Sequence, residues 1–197
     1  MSNLSSLIIG PTDKTKIFRY GKIKKNEYGI YKQKIGKVLV ENISRIDIIP
    51  DDGFPLDIAK VYKELGGKLV VGNVPKGGSR YLDKYLKFCD KIEEVEGDWT
   101  FLNTSLSLKD DIMIGIGLSP GTIVEIAYSK YHKKYLNNPI PVLIDERTIS
   151  QRLCKELEEE IDIKYFNSVH SLEKLLKNER KLRKCLRNNC TEIRTIK

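Results

Sequence analysis

The stretch Asp111-Ile-Met-Ile-Gly-Ile-Gly-Leu-Ser-Pro-Gly-Thr-Ile-Val-Glu-Ile-Ala-Tyr128 decides the fold. It opens on a β-branched apolar run, Ile112 to Ile116, with no polar alternation, which is the pattern of a strand covered on both faces. Small residues then break the run at Gly117, Ser119 and Gly121. Beyond them Ile123, Ile126, Ala127, Tyr131 and Tyr135 recur at helical spacing. Strand, tight turn, helix is the repeating unit of a parallel sheet with crossover helices.

The unit recurs on both sides of this stretch. Further strands are predicted at Ser6 to Ile9, Ile46 to Ile49, Lys68 to Val71, Pro141 to Ile144 and Ile163 to Phe166. Helical periodicity marks Ile35 to Ile43, then Leu56 to Leu65, with Pro55 at the first helical position and Gly66-Gly67 at the stop. Tyr81, Tyr85, Phe88 and Cys89 suggest another helix, Leu153, Leu157 and Ile161 a short one, and Leu172 to Leu186 a last. The expected architecture is an open, three-layer α/β fold with a mostly parallel, Rossmann-like sheet. Residues 1–170 form its ligand-binding domain. Residues 171–197 form a basic C-terminal helix packed on it or extending from it.

At 197 residues the chain suits one domain. Apolar runs such as Leu7-Ile8-Ile9 fall far short of the roughly 18 residues of a membrane span. Met1 to Ser6 lacks the basic lead and apolar stretch of a signal peptide. The expectation is a cytoplasmic protein with no membrane association. Cys89, Cys154, Cys185 and Cys190 read as reduced thiols, and only the last two are close in sequence. Abundant Lys, Ile and Glu, with Gln only at Gln33 and Gln151, suits a thermophile.

The net charge of +8 is unevenly spread. Lys14 to Lys37 holds nine basic residues against Glu27, and Lys174 to Lys197 holds nine against Glu179 and Glu192. The rest of the chain carries 17 basic and 24 acidic residues. Two basic segments thus flank an acidic body. They read either as solvated surface or as attraction for a polyanion, whether RNA, DNA or an acidic partner face.

Open parallel sheets bind ligands at the carboxyl ends of their strands, where strand order reverses. Three turns occupy such positions: Gly10-Pro11-Thr12, Asp51-Asp52-Gly53 and Ser119-Pro120-Gly121-Thr122. No G-x-G-x-x-G follows the first strand and no G-x-x-x-x-G-K-[ST] occurs, which disfavours ordinary dinucleotide dehydrogenases and P-loop enzymes. At the third turn, Gly121 and Thr122 amides at a helix start could face an anion, with Glu125 one turn in. The alternative is local: Thr122-Ile-Val-Glu125 is also a capping box, in which the glutamate satisfies the helix's own amides. Asp51 and Asp52 read as ribose-hydroxyl acceptors, metal ligands or plain turn carboxylates. Asp57 reads as a first-turn residue complementing its helix dipole. Trp99 reads as a packing residue able to stack on a base. His132, among lysines, reads as solvated, and His170 as lying where the last helix begins.

Gly121-Thr122-Ile-Val-Glu125 after a parallel strand resembles the P-G-G-x-G-T-x-x-E motif of the Lonely Guy phosphoribohydrolases and their lysine-decarboxylase-like superfamily. Ile35 to Val40, Gly53, the Leu56 to Leu65 helix, Gly66-Gly67 and Lys68 to Pro75 follow that family's order. Glu125-Ile-Ala-Tyr128 is also locally similar to nucleoside 2-deoxyribosyltransferases, whose nucleophile is a glutamate in such a context. The likeness covers about Leu7 to Asp145. It implies a nucleotide or ribose-phosphate ligand, cleavage of an N-glycosidic bond at Glu125, and a homodimer. Oxocarbenium-like charge on the ribose would be stabilised, attacked or hydrated through that carboxylate. The sequence departs from the family in three places. A triple glycine is replaced by Asp51-Asp52-Gly53, whose carboxylates would repel a phosphate unless a cation such as Mg²⁺ intervened. The first glycine of the later motif is replaced in Ser119-Pro120-Gly121. The catalytic arginine has no counterpart, because no arginine lies between Arg80 and Arg147; Lys109 is a substitute or an exposed loop lysine. The alternative function is a non-catalytic nucleotide sensor or scaffold whose basic segments dock RNA or a protein partner.

Overall fold

The computed structural model describes residues 4–78, 83–132 and 139–194, with side chains described through residue 186. Tyr81, Tyr135 and the Cys190 side chain, singled out above, lie outside the described residues. Seven strands form one sheet in the order β4-β3-β2-β1-β5-β6-β7, all neighbours parallel. They are β1 (Leu4–Ile9), β2 (Ile43–Ile48), β3 (Val70–Pro75), β4 (Lys91–Val95), β5 (Ile112–Gly115), β6 (Val142–Asp145) and β7 (Ile163–Phe166). From β1 the chain builds outward to β4, then returns to lay β5 against the other side of β1. The order reverses between β1 and β5, and both flanking turns emerge there.

Apolar runs without alternation are explained by the two layers they serve. Ile8, Ile112, Ile114 and Leu143 face one core, with α2 (Tyr28–Asn42), α3 (Phe54–Glu64) and α8 (Val169–Arg194) packed on it. Their strand neighbours Leu7, Ile9, Met113, Val142 and Ile144 face a second core with α5 (Trp99–Leu106) and α6 (Pro120–Tyr128). Alternate Cβ atoms point to opposite faces, so a strand buried on both has apolar residues throughout. This is the three-layer α/β fold expected. Short helices α1 (Thr15–Tyr20), α4 (Asp83–Leu86) and α7 (Lys155–Glu160) complete the set of labelled helices.

Several boundaries differ from the expectation. β3 runs to Pro75, because Gly72 and Asn73 are strand residues rather than a turn. Gly72 is there because a Cβ would come within 2.7 Å of Cys89 Sγ, and Asn73 because its amide donates to Asp47 Oδ1 at 2.9 Å. Pro55 is the second helical residue of α3, behind Phe54. The segment after Lys14 forms α1 and a 3₁₀ turn leading into α2. Cys89, Cys154 and Cys185 are free thiols. No described helix is long and apolar enough to cross a membrane.

Candidate functional site

The turns leaving β1, β2 and β5 converge. At Gly10 a side chain would bring its Cβ within 2.6 Å of the Ile116 carbonyl oxygen, so only glycine allows the ends of β1 and β5 to approach so closely. Gly117 has φ +80°, and a Cβ there would lie 2.9 Å from Pro11 Cδ. The β2 turn closes on the same point, with Phe54 N–H donating to the Pro11 carbonyl at 3.3 Å.

Between these turns lies a cavity of about 330 Å³. Of the residues singled out from the sequence, Gly10, Thr12, Asp51, Ser119, Gly121, Thr122 and Glu125 line it. Pro11, Asp52 and Gly53 do not. Pro11 joins the turns through its carbonyl, Gly53 donates its N–H to Asp51 Oδ1 at 3.0 Å, and the Asp52 side chain is 63% exposed, 3.4 Å from Lys14 Nζ. Trp99 and Asn103 of α5 also line the cavity. Trp99 is thus a wall residue, 40% exposed, rather than a core one. Asn103 had no sequence signal, because its helix carries just two buried apolar residues, Leu102 and Leu106.

Ser119 caps α6, its Oγ accepting from Thr122 N–H at 3.2 Å and sharing a 2.8 Å hydrogen bond with Thr122 Oγ1. The helix begins at Pro120, which places Glu125 sixth in it. The capping-box alternative therefore fails: the cap is Ser119, not Thr122, and Glu125 is a turn too far along to reach the free amides. Pro120 has no N–H and that of Thr122 is taken, so Gly121 supplies the open donor among the first three helical residues.

Glu125 is 6% exposed and makes no hydrogen bond or ion pair among the described residues. Burial, and secondarily the nearby Asp51 charge, pushes its carboxyl up to about 8, so at neutral pH it holds its proton. Asp51 is also raised, burial outweighing the hydrogen bond it accepts from Thr12 Oγ1 at 2.6 Å and that from Gly53. Among the described residues, no lysine, arginine or histidine lines the cavity. It is a pocket of mixed lining, with Ile8, Ile9, Ile49 and Trp99 beside Thr12, Asn103 and Ser119, and it holds two carboxyl groups, one of them neutral.

The Mg²⁺ considered above does not fit this geometry. Both Asp51 oxygens serve the turn, Asp52 points away with Lys14, and no cluster of three or more His, Cys, Asp or Glu among the described residues could hold a metal. Lys109 lies outside the cavity but is not a loop lysine in solvent. Its Nζ donates to Asp47 Oδ1 and Asn73 Oδ1, each at 2.8 Å, and to Glu93. Burial alone would raise Asp47, but hydrogen bonds from Arg45, Lys109 and Asn73 hold it below the usual carboxylate range. Lys109 therefore braces β2, β3 and β4 across one sheet face. Asp57 does lie in the first turn of α3, where it gathers Lys14, Lys32 and the Tyr28 hydroxyl. His132 is buried, not solvated. His170 lies in the first turn of α8.

No protein-family model matches the sequence, and no curated protein matches it. Solved structures do share the fold. A molybdenum cofactor carrier protein from Chlamydomonas reinhardtii aligns with TM-score 0.61 and 15% identity, over 91% of this chain and 99% of that one. A molybdenum cofactor binding protein from the phototrophic bacterium Rippkaea orientalis gives 0.61 and 16%, over 90% and 98%. The structural-genomics target TM1055 gives 0.64 and 18%, over 88% and 98%.

Proposed function

We propose that the chain binds a nucleotide or related ribose compound in the cavity between β1, β2 and β5, and that Glu125 serves there as the acid that releases the base. The observation that carries this reading is a buried, unpartnered carboxyl, protonated at neutral pH, in the wall of a cavity of mixed lining at the switch point of a parallel sheet. The sugar and base fill the 330 Å³ between Trp99, Asn103 and Glu125, with the Trp99 ring offering a stacking surface. A 5′-phosphate has the Gly121 amide and the α6 terminus as partners, and no cation from the lining described.

The sequence cast Glu125 as a carboxylate beneath the ribose. Its raised pKa reverses the order of events. As the C1′–N bond breaks, its electron pair goes to the base nitrogen, which takes the Glu125 proton. Water then attacks the oxocarbenium-like C1′ and returns a proton to the carboxylate. Base release from a panel of nucleosides and nucleoside monophosphates, read by chromatography, tests this. Release should fall as pH rises through about 8, and Glu125→Gln should slow it at least about a hundredfold. No release by the unaltered protein at any pH removes the chemistry. No thermal shift with any member removes the ligand class.

A second reading is carriage without turnover. The fold neighbours described as carrying or binding molybdenum cofactor, and a cavity without the family's arginine, favour it. Ligand binding that survives Glu125→Gln, with no base released, would select it. The exposed apolar residues of α5 and α6, among them Phe101, Ile123, Val124 and Tyr128, are where we place the homodimer contact. Light scattering of Val124→Asp against the unaltered chain tests that placement: a shift to monomer is expected, and an unchanged mass overturns it.

A further inference from the structure

The basic segment Lys14 to Lys37 takes no part in the cavity, and its nine cations are not all engaged alike. Lys14 and Lys32 are engaged by Asp57, with Asp52 also beside Lys14. Lys22, Lys34 and Lys37 form no ion pair among the described residues, and all three line a groove. Three adjoining hollows of about 540, 360 and 190 Å³ make it up. The first and second share Ile30 and Lys34; the second and third share Lys22 and Arg147. The groove thus runs along the outer face of α2, past the end of β6, to the start of α8.

Its chemistry is two-fold. Ile30, Gln33, Lys34 and Lys37 fall at i, i+3, i+4 and i+7 and form one stripe on α2. Ile30 is 63% exposed in that stripe, with Leu65 and Val169 extending the apolar floor to either side. Arg147 is fixed in place by Asp145, with Nε–Oδ1 of 2.9 Å and Nη2–Oδ2 of 2.7 Å, and lies over the Tyr31 ring. The floor is aliphatic, and Lys22, Lys34, Lys37, Arg147 and Arg152 outnumber the two carboxylates of the lining, Glu146, paired with Arg152, and Glu27, which accepts from the Lys24 N–H.

We propose that this groove docks an acidic amphipathic helix of a partner protein, its apolar side chains on Ile30 and its carboxylates on Lys22, Lys34 and Lys37. Charge complementarity fixes the sign of the partner, and the aliphatic floor fixes its class. A single-stranded nucleic acid would want exposed rings to stack its bases. Among the described residues the one ring lining the groove, Tyr31, is buried and capped by Arg147. An amphipathic helix, by contrast, uses both the stripe and the charges around it. The proposal is independent of what fills the Glu125 cavity.

The test titrates the full chain with a fluorescein-labelled peptide of leucines at helical spacing and glutamates elsewhere. The controls are the same peptide with serine for leucine, and an oligo-dT of similar charge. Saturable binding of the leucine peptide is expected, weakened at least about tenfold by Lys22→Glu with Lys34→Glu, and likewise by Ile30→Asp. All three positions are exposed, and thermal shift with AMP reads the separate cavity in the same variants. Equal affinity for the leucine and serine peptides, tighter binding of oligo-dT, variants that bind as the unaltered chain does, or no binding at all would each overturn the proposal.

Discussion

A glutamine at position 125 keeps the side chain's shape and removes its titration. In the folded protein Glu125 titrates near 8 against an ordinary 4.5, so between those values the unfolded chain gives up its proton while the folded one keeps it. Stability is therefore lost progressively from pH 4.5 to 8, and the loss is complete above that window. Glu125→Gln should leave the melting temperature unchanged near pH 4 and raise it above pH 8, which scans across pH will show. A residue that destabilises its own fold is an expected mark of a working site. Lys109 has the opposite role. Lys109→Met would leave Asp47 with Arg45 and Asn73, and Glu93 with Arg45 and Lys91, without the ammonium the two carboxylates share, at a cost of about 1–3 kcal/mol in urea unfolding. The sequence made Glu125 visible through the glycine turn before it and the G-T-x-x-E resemblance, with a capping box as the competing reading. The bracing role of Lys109 was not visible, since its partners come from three strands that sequence spacing cannot bring together.

Elements with a single dominant period were legible, and those with mixed faces were not. β4 reads Lys-Ile-Glu-Glu-Val and lies at the sheet edge, where its charged side chains suit solvent and hide it among loops. α5 was missed because its apolar residues do not share one face, Leu102 and Leu106 being buried and Trp99 and Phe101 exposed, and with it went Asn103, one wall of the cavity. The turns were legible because glycine and proline mark them directly. Two substitutions test how far those turns hold the site together. Gly10→Ala forces the β1 and β5 ends apart, so ligand-induced thermal shift should vanish while stability drops by about 1–3 kcal/mol. Ser119→Ala removes the α6 cap and should cost about 1 kcal/mol, with a smaller effect on binding.

Taken as a whole, the molecule is closed by its last helix. Leu172 and Leu176 of α8 are fully buried in the core beneath α2. Arg180 donates to Asn42 Oδ1 at 2.8 Å, and Arg183 reaches Asp111 Oδ1 at 3.2 Å. Part of the basic C-terminal charge thus binds the acidic body rather than an external partner. Leu176→Ala should cost about 2–5 kcal/mol in urea unfolding, and a chain ending before Val169 should fail to give a cooperative transition. The position of β1 has a consequence for how the protein is made. It precedes every other strand in the chain and lies in the middle of the finished sheet, yet β5 begins at Ile112. While the chain is still being synthesised, Leu4–Ile9 therefore shows an unpaired apolar edge until more than a hundred later residues have emerged. Throughout that interval the nascent polypeptide is open to sticking to its neighbours, which is where a chaperone would have most to do.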